Sequence, residues 1–373
     1  MILDTIDSCM KLKDISNKTV FIAGAGSRGI LIGRFFSEIG LHWSGYIDKK
    51  IYNVDLNGKK IFTYEDTDLF QDSYFVISSV LNKDEIQEQL YNRGVSAQNI
   101  MILNDACYNE IANYMLGGEK VEEEIVKIKQ FKGIYAGERC FLIGNGPSLE
   151  VDDLEKLKDE ITFACNSIFR LFNSTDWRPT YYFIHDEKLE YKVFPNGEEW
   201  KKNICAEVKM AFTSVQSRAF FYRNEWGLKN LYYYKRIPIV ENEFPFSEDP
   251  SRCIYTSGTI AYAMLQMAAY MGFTEIYMLG FDTNYAIERK RDGTILYNDV
   301  KNHHDLMKVD DETAKQISAK DANICHDVES MIQGYRSAKK YAEEHDISII
   351  NVTRGGKLDI FQRKSFDEIV KGR

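Results

Sequence analysis

The sequence predicts an α/β protein made of two parallel-sheet units. Three observations predict it. Short branched apolar runs alternate with longer stretches of helical periodicity; a glycine-rich turn follows the first such run of each half; and several runs close on a polar residue. Strand–helix alternation of this kind implies parallel strands joined by right-handed crossovers.

The first unit begins at KTVFIAGAGSRGILIG. Val20 to Ala23 is too short for a helix and branched enough for a buried parallel strand. Gly24, Gly26 and Gly29 form a GxGxxG turn, and Ile30, Ile32, Phe35, Phe36 and Ile39 then cluster on one helical face. HWSGYID is the second strand and ends in Asp48. SYFVISSV (73–80) is the third, KDEIQEQLYNRG a helix closed by Gly94, and NIMIL (99–103) the fourth. The glycines permit a tight turn and close approach of a phosphate to the helix N-terminus, and Asp48 stands where an acid could bind ribose hydroxyls. GxGxxG alone is equally compatible with a small Rossmann-like domain whose crevice holds nothing. This domain is expected over 1–113, with a connector over 114–132. There Val121, Ile125, Ile128 and Phe131 mark an amphipathic helix, read as a solvated connector.

The second unit, 133–373, opens with a strand at Cys140 to Ile143 and the sharp turn Gly144-Asn145-Gly146-Pro147-Ser148. Leu149, Leu154 and Leu157 begin a helical face. ITFACN (161–166) and TYYFIHD (180–186) are the next strands, and AEVKMAF and KNLYYYK are two further candidates. TSGTIAYAMLQMAAYMGF is a helix entered through Thr256-Ser257-Gly258, and EIYMLGFD (275–282) is a buried strand. Residues 283–325 read as polar and irregular, a length that often serves as a lid. A helix over 327–344, the strand ISIINVT and a basic tail close the chain. Five strand ends thus carry polar residues: Asn145, Asn166, Asp186, Asp282 and Thr353. Ligands of open parallel sheets bind beyond the carboxyl ends of the strands, so this unit is expected to hold the active site.

Composition excludes several classes. The chain has 373 residues, enough for about two domains. Hydrophobic residues make up 44% and charged residues 28%, an ordinary globular balance without a sign of disorder. The net charge of −9 argues against a general nucleic-acid binder. No run approaches the ~20 apolar residues of a membrane helix, and the acid-bearing start MILDTIDSCMKLKD does not read as a signal peptide. The 7 cysteines are scattered without a CxxC pair and suit reduced, packed thiols in a cytoplasmic protein.

The chemistry of the second unit is that of a nucleotide site without a Walker lysine. GNGPS can cradle a phosphate or ribose through turn amides, and Asn145 and Asn166 can fix hydroxyls or phosphate oxygens without adding charge. Ser257, Gly258 and Thr259 open a second helix N-terminus. His326, before the last long helix, is matched to proton transfer near neutral pH, with His185-Asp186 as the other candidate. His303-His304-Asp305 reads as a solvated lid segment more readily than as a metal site. Tyr285 and Tyr297 could donate to a leaving phosphate.

Two resemblances follow from these motifs. GAGSRG, GYIDKK and GKKI resemble the small Rossmann-like domains that precede many bacterial surface-polysaccharide enzymes. GNGPSL, the CN strand end, TSGTIAYAM and MGFTEIYMLGFDTNY resemble metal-independent bacterial sialyltransferases and the flagellin-modifying motility accessory factors. The ending NVTRGGKLDIFQRKSFDEI looks like a broader group described as 6-hydroxymethylpterin diphosphokinase MptE-like. The resemblance covers 138–373. It implies contact of Asn145, Asn166, Ser257, Gly258, Thr259, Gly280, Phe281 and Asp282 with a CMP-sugar donor, tyrosine-assisted phosphate departure at Tyr285 and Tyr297, and His326 as general base; Gly146, Ser148 and Asp186, from the turn and the strand ends, are expected substrate contacts beside them. The implied reaction is inverting transfer of a nonulosonic sugar to a glycan or glycolipid hydroxyl, with no obligatory cofactor. Peripheral placement at the inner membrane face and homo-oligomerisation are left open. Two other readings stay open: ATP-dependent pyrophosphoryl transfer with Mg²⁺ held by Asp186 and Asp282, and a non-catalytic nucleotide-sugar binder.

Overall fold

The computed structural model describes residues 2–25, 27–49, 58–66, 72–79, 82–115, 120–184, 204, 207–217, 230–237, 244–285, 287–289, 294–297 and 327–371. The chain divides into two compact units between Glu122 and Glu123.

The first unit opens with α1 (Ile2–Met10) and α2 (Leu12–Ile15), which the sequence reading did not foresee. Ile6 and Met10, four apart, are both buried, and that pair is the signal for α1. β1 (Thr19–Ala23), α3 (Ser27–Glu38), β2 (Gly45–Ile47), β4 (Ser73–Ile77), α4 (Lys83–Tyr91) and β5 (Ile100–Ile102) fall where expected. Two elements are additional. The two-residue strand β3 (Ile61–Phe62) pairs with β2, and α5 (Asp105–Met115) starts where Asn104 Oδ1 accepts the Cys107 amide at 2.8 Å. The sheet order is β3-β2-β1-β4-β5, all parallel, so the strand order reverses between β1 and β4. Phe21, Ile47, Phe75 and Ile77 fill one face of its core.

The expected connector is α6 (Lys120–Val126) followed by a 3-10 turn over Lys127–Phe131. Its apolar face is not solvated. Ile125, Ile128 and Phe131 are buried, and Phe131 meets Phe212 and Tyr232 edge-on at 5.1 and 4.8 Å. An amphipathic stripe next to an apolar sheet buries that stripe, which is what the solvated reading overlooked.

Among the described residues the second unit has an eight-stranded parallel sheet in the order β10-β9-β8-β7-β6-β13-β16-β17. The strands are β6 (Arg139–Ile143), β7 (Thr162–Cys165), β8 (Tyr181–Phe183), β9 (Ala211–Ser214), β10 (Leu231–Tyr234), β13 (Glu275–Leu279), β16 (Ser348–Asn351) and β17 (Gln362–Arg363). Here α7 (Val151–Glu155) follows β6, and the short pair β11 (Arg236–Ile237) and β12 (Ile254–Tyr255) lies apart from the main sheet. The strand β9 begins later than AEVKMAF suggests, because Val208 N donates to Ile204 O and closes a helical turn first. The chain fills the sheet outward from β6 to β10 and then returns to the other side with β13, β16 and β17. The topological switch point therefore lies between β6 and β13.

Two helices pack on one face. α8 (Ile260–Met271) is apolar all round and buried almost throughout, as expected of a helix with no wet side. Thr259 Oγ1 caps it by accepting the Ala261 amide at 3.2 Å, and Gly272 at φ 95° ends it. α9 (Val328–Glu344) is amphipathic and starts at Asp327, whose carboxylate accepts from Ser330 N at 3.0 Å. The chain closes with α10 (Phe366–Lys371). The stretch 283–325 is not wholly irregular. It begins with an antiparallel hairpin of β14 (Ile287–Arg289) and β15 (Ile295–Tyr297), and 298–325, with His303, His304 and Asp305, lies outside the described residues.

Candidate functional site

At the switch point two turns press together with no room for side chains. A Cβ on Gly146 would lie 1.8 Å from Asp282 Oδ2 and 2.6 Å from Gly280 O; one on Gly144 would lie 2.3 Å from Gly280 O. Gly280 itself takes φ 76°, and its carbonyl accepts from Gly146 N at 2.9 Å. The carboxylate of Asp282 is buried and its Oδ2 accepts from Ser148 Oγ at 2.8 Å and Ser148 N at 3.4 Å. Burial raises the Asp282 pKa above the usual carboxylate range. The Ser148 bonds and the Arg363 charge oppose that rise. The following residue, Thr283, is β-branched yet takes φ 53°, a strain of order 1–3 kcal/mol of the kind found at ligand sites.

The expected residues Asn145, Gly146, Ser148, Asn166, Gly280, Phe281 and Asp282 are brought together here. Asn145 Nδ2 donates to Cys165 O at 3.1 Å, which ties the end of β6 to the end of β7. Asn166 takes φ 49°, which Asn tolerates, and its carbonyl accepts from Tyr182 Oη at 2.7 Å. Phe281 N donates to Thr353 Oγ1 at 3.0 Å at the end of β16.

The Ser257-Gly258-Thr259 turn joins the same region through α9. A Cβ on Gly334 would stand 2.2 Å from Ser257 Oγ, so only glycine lets α9 pass this close. Gly258, at φ 75°, faces Asp327. On α9, buried Tyr335 interacts with Thr259, Tyr285 and Cys165. Burial pushes both tyrosine hydroxyls well above their ordinary pKa, and burial pushes the Cys165 thiol up to about 12. These groups are hydrogen-bond donors at neutral pH, not bases.

The polar satisfaction of the unit is uneven. Buried Gln266 in α8 makes four bonds: Oε1 accepts from Ser247 N and Tyr255 N, and Nε2 donates to Tyr255 O and Tyr262 O. Buried side-chain atoms without a partner, among the described residues, include Asn145 Oδ1, Asn166 Oδ1, Ser257 Oγ and Asn284 Oδ1. Asn145 and Asn284 lie in the turns after β6 and β13, Asn166 opens a 3-10 helix after β7, and Ser257 lies in the turn before α8; Trp177 Nε1 and Thr213 Oγ1 of the same unit also lack a partner. A buried orphan acceptor costs about 1–3 kcal/mol, so four in one region mark a surface built to meet a ligand. Because Asn145 Nδ2 is committed to Cys165 O, its Oδ1 is fixed as the free acceptor.

Some expected residues lie outside the described ones: Gly26, His185, Asp186 and His326. Tyr297 ends β15, but its side chain is not described. Sequence reasoning missed Asn284, Gly334 and Tyr335. A glycine inside a strong helical pattern costs about 1 kcal/mol, so Gly334 carried a readable sign of close approach. The first unit also has a glycine turn at its switch point. Gly24 takes φ 102°, and a Cβ on Gly29 would lie 2.0 Å from Gly24 O. Asp48 Oδ2 there accepts from Ala25 N at 2.8 Å and so holds the turn itself.

Residues 118–288 match the family model described as 6-hydroxymethylpterin diphosphokinase MptE-like. That stretch, a little under half of the chain, is similar to MptE-like domains. Among solved structures it is similar to a MAf glycosyltransferase from Magnetospirillum magneticum AMB-1, at 12% identity and TM-score 0.37. That match covers 98% of this chain and 62% of the other, so the chain spans under two thirds of that protein's length. It is also similar to the sialyltransferase CstII from Campylobacter jejuni in complex with CMP-3FNeuAc, at 12% identity and TM-score 0.34, covering 61% of this chain and 85% of that one. Likeness at this level assigns neither substrate nor reaction. No curated protein matches the chain. Among the described residues no helix is long and apolar enough to cross a membrane.

Proposed function

We propose that the second unit binds a cytidine nucleotide between β6 and β13 and transfers a nonulosonic-type sugar from a CMP donor to a glycan or glycolipid hydroxyl. The observation that carries this reading is the set of orphaned, uncharged polar atoms on Asn145, Asn166, Ser257 and Asn284 around two turns stripped of side chains. Acceptor oxygens suit ribose hydroxyls and the exocyclic amine of a base, and the amides of the 144–148 turn suit a phosphate. The resemblance of GNGPSL, the CN strand end and TSG to sialyltransferase motifs is what favours CMP over other nucleotides. In this reading Tyr285 and Tyr297 donate to the departing phosphate, and His326 takes the proton from the acceptor hydroxyl. The enzyme works from the cytoplasm, at the inner membrane face where the acceptor is lipid-linked.

The family description favours a second reading, pyrophosphoryl transfer from ATP to a hydroxymethylpterin. That chemistry asks for a Mg²⁺ site. Of the two acids named for it, Asp282 has its Oδ2 engaged by Ser148, and Asp186 lies outside the described residues.

Two assays on the full chain separate the readings. Release of CMP from CMP-N-acetylneuraminic acid, faster with a glycan acceptor and insensitive to EDTA, is expected. AMP release from ATP that needs both Mg²⁺ and 6-hydroxymethyl-dihydropterin, with the CMP-sugar untouched, would overturn it.

A further inference from the structure

The tail after β16 is not a loose end. Thr353 Oγ1 accepts the Phe281 amide at 3.0 Å and donates to Met278 O at 3.3 Å. Four residues on, Lys357 N donates to Asp282 O at 2.7 Å, and Gly356 packs so closely that a Cβ there would lie 2.7 Å from the same oxygen. The tail therefore grips the 281–282 backbone at two points.

Two arginines fix the shape of this grip. Arg363 Nη2 donates to Thr353 O at 2.6 Å and also to Gly355 O, while its Nη1 donates to Leu358 O at 3.2 Å. One guanidinium thus staples three carbonyls of the loop. Arg354 reaches the other way. Its Nη2 donates to Asp153 Oδ1 at 2.9 Å and its Nη1 pairs with Asp153 Oδ2, a two-pronged bond to a carboxylate with 1% of its side chain exposed. A carboxylate that deeply buried is retained only with its partner. Asp153 sits on α7, directly after the GNGPSL turn.

These contacts close a ring. Asp153 binds Arg354; the Arg354 loop grips Asp282; Asp282 binds Ser148; and Ser148 leads back through the chain to Asp153. The tail thus reaches the C-terminal side of the 144–148 turn by two routes, through Asp282 to Ser148 and through Asp153 on the helix that follows. We infer that Arg354 and Arg363 are positioning residues, which brace Asp282 and the 144–148 turn in the geometry that receives the ligand without touching it. The brace rests on contacts alone; its effect on affinity rests on the nucleotide reading proposed above.

Hydrogen exchange on the full chain, without ligand, tests the brace. Arg363→Met removes donors to partly exposed carbonyls that water can serve, so the fold should survive. Peptides covering 144–150 and 280–284 should exchange at least tenfold faster, with β9, β10 and β1 unchanged, and Arg363→Lys should close part of the gap. The paired change Asp153→Asn with Arg354→Met avoids a lone buried carboxylate and should have the same local effect. Faster exchange confined to 353–363, or a uniform rise over the second unit, would overturn the brace. Calorimetry with CMP then tests the coupling: at least fivefold weaker binding in Arg363→Met is expected. Unchanged affinity beside loosened turns would overturn the coupling. A wild-type chain silent to CMP, with the exchange pattern as expected, would remove the nucleotide reading and leave the brace standing.

Discussion

Gly334→Ala inverts the usual effect of its own substitution. In an open helix, replacing an interior glycine by alanine stabilises by roughly 0.5–1 kcal/mol, because glycine loses more chain entropy on folding. Gly334 lies inside α9, so propensity alone predicts a gain. The structure predicts a loss. The new Cβ would stand 2.2 Å from Ser257 Oγ and 2.4 Å from Ser257 Cβ, and Ser257 is fully buried. Overpacking of this kind costs about 1–3 kcal/mol, and both partners here are short of slack, so the upper part of that range applies. The balance is a net loss of about 2 kcal/mol, or a fall of about 4–8 °C in Tm for a unit of this size. Thermal unfolding with calorimetry measures it, and a CMP titration should show weaker binding because Ser257 is displaced. A second variant localises the cause. Ser257→Ala in the Gly334→Ala background should rescue little, since Cβ remains in place; Ser257→Gly should rescue more. A stabilised Gly334→Ala with unchanged ligand affinity would refute the close approach of α9 to the Ser257 turn.

Two further predictions concern titratable groups. Burial raises the Asp282 pKa, so the folded state binds the proton more tightly than the unfolded chain, and the stabilising contribution of this group is lost as pH rises from the unfolded value of 3.8 through the folded one. Asp282→Asn does not titrate there, so its stability relative to wild type should improve as pH rises above 3.8; a difference independent of pH would contradict the buried carboxylate. Cys140 and Cys165 are fully buried with thiol pKa values pushed up by burial, whereas Cys9 is exposed. Native alkylation at pH 8 followed by peptide mapping should label Cys9 and spare the other two, and rapid labelling of Cys165 would mean that the end of β7 is open.

Most of the sheet was legible because a buried parallel strand announces itself. VFIA, CFLI, TFAC and YMLG are short apolar runs bounded by turn residues, and each became a strand. What failed was local. β3 is two residues long and too brief for any periodicity, and the hairpin β14–β15 sits in a stretch whose polarity hid its alternation. The connector stripe was seen, but its burial depends on a sheet that only the fold supplies. The site was legible as turns, since Gly144, Gly146 and Gly280 flank strand ends, yet the reason those positions demand glycine is a clash across the switch point. Tyr335 and Asn284 were invisible because nothing in their local sequence distinguishes them from ordinary helix and turn residues. The tail arginines were read as basic charge, and their pairing with Asp153 and with the carbonyls of Thr353, Gly355 and Leu358 is a long-range fact.

The most direct test of the central claim is a calorimetric titration of the full chain with CMP and with ATP, each with and without Mg²⁺, beside Asn166→Ala. The account predicts one CMP site that ignores Mg²⁺ and is lost or weakened at least tenfold in Asn166→Ala. ATP binding that requires Mg²⁺, with CMP silent, would contradict it.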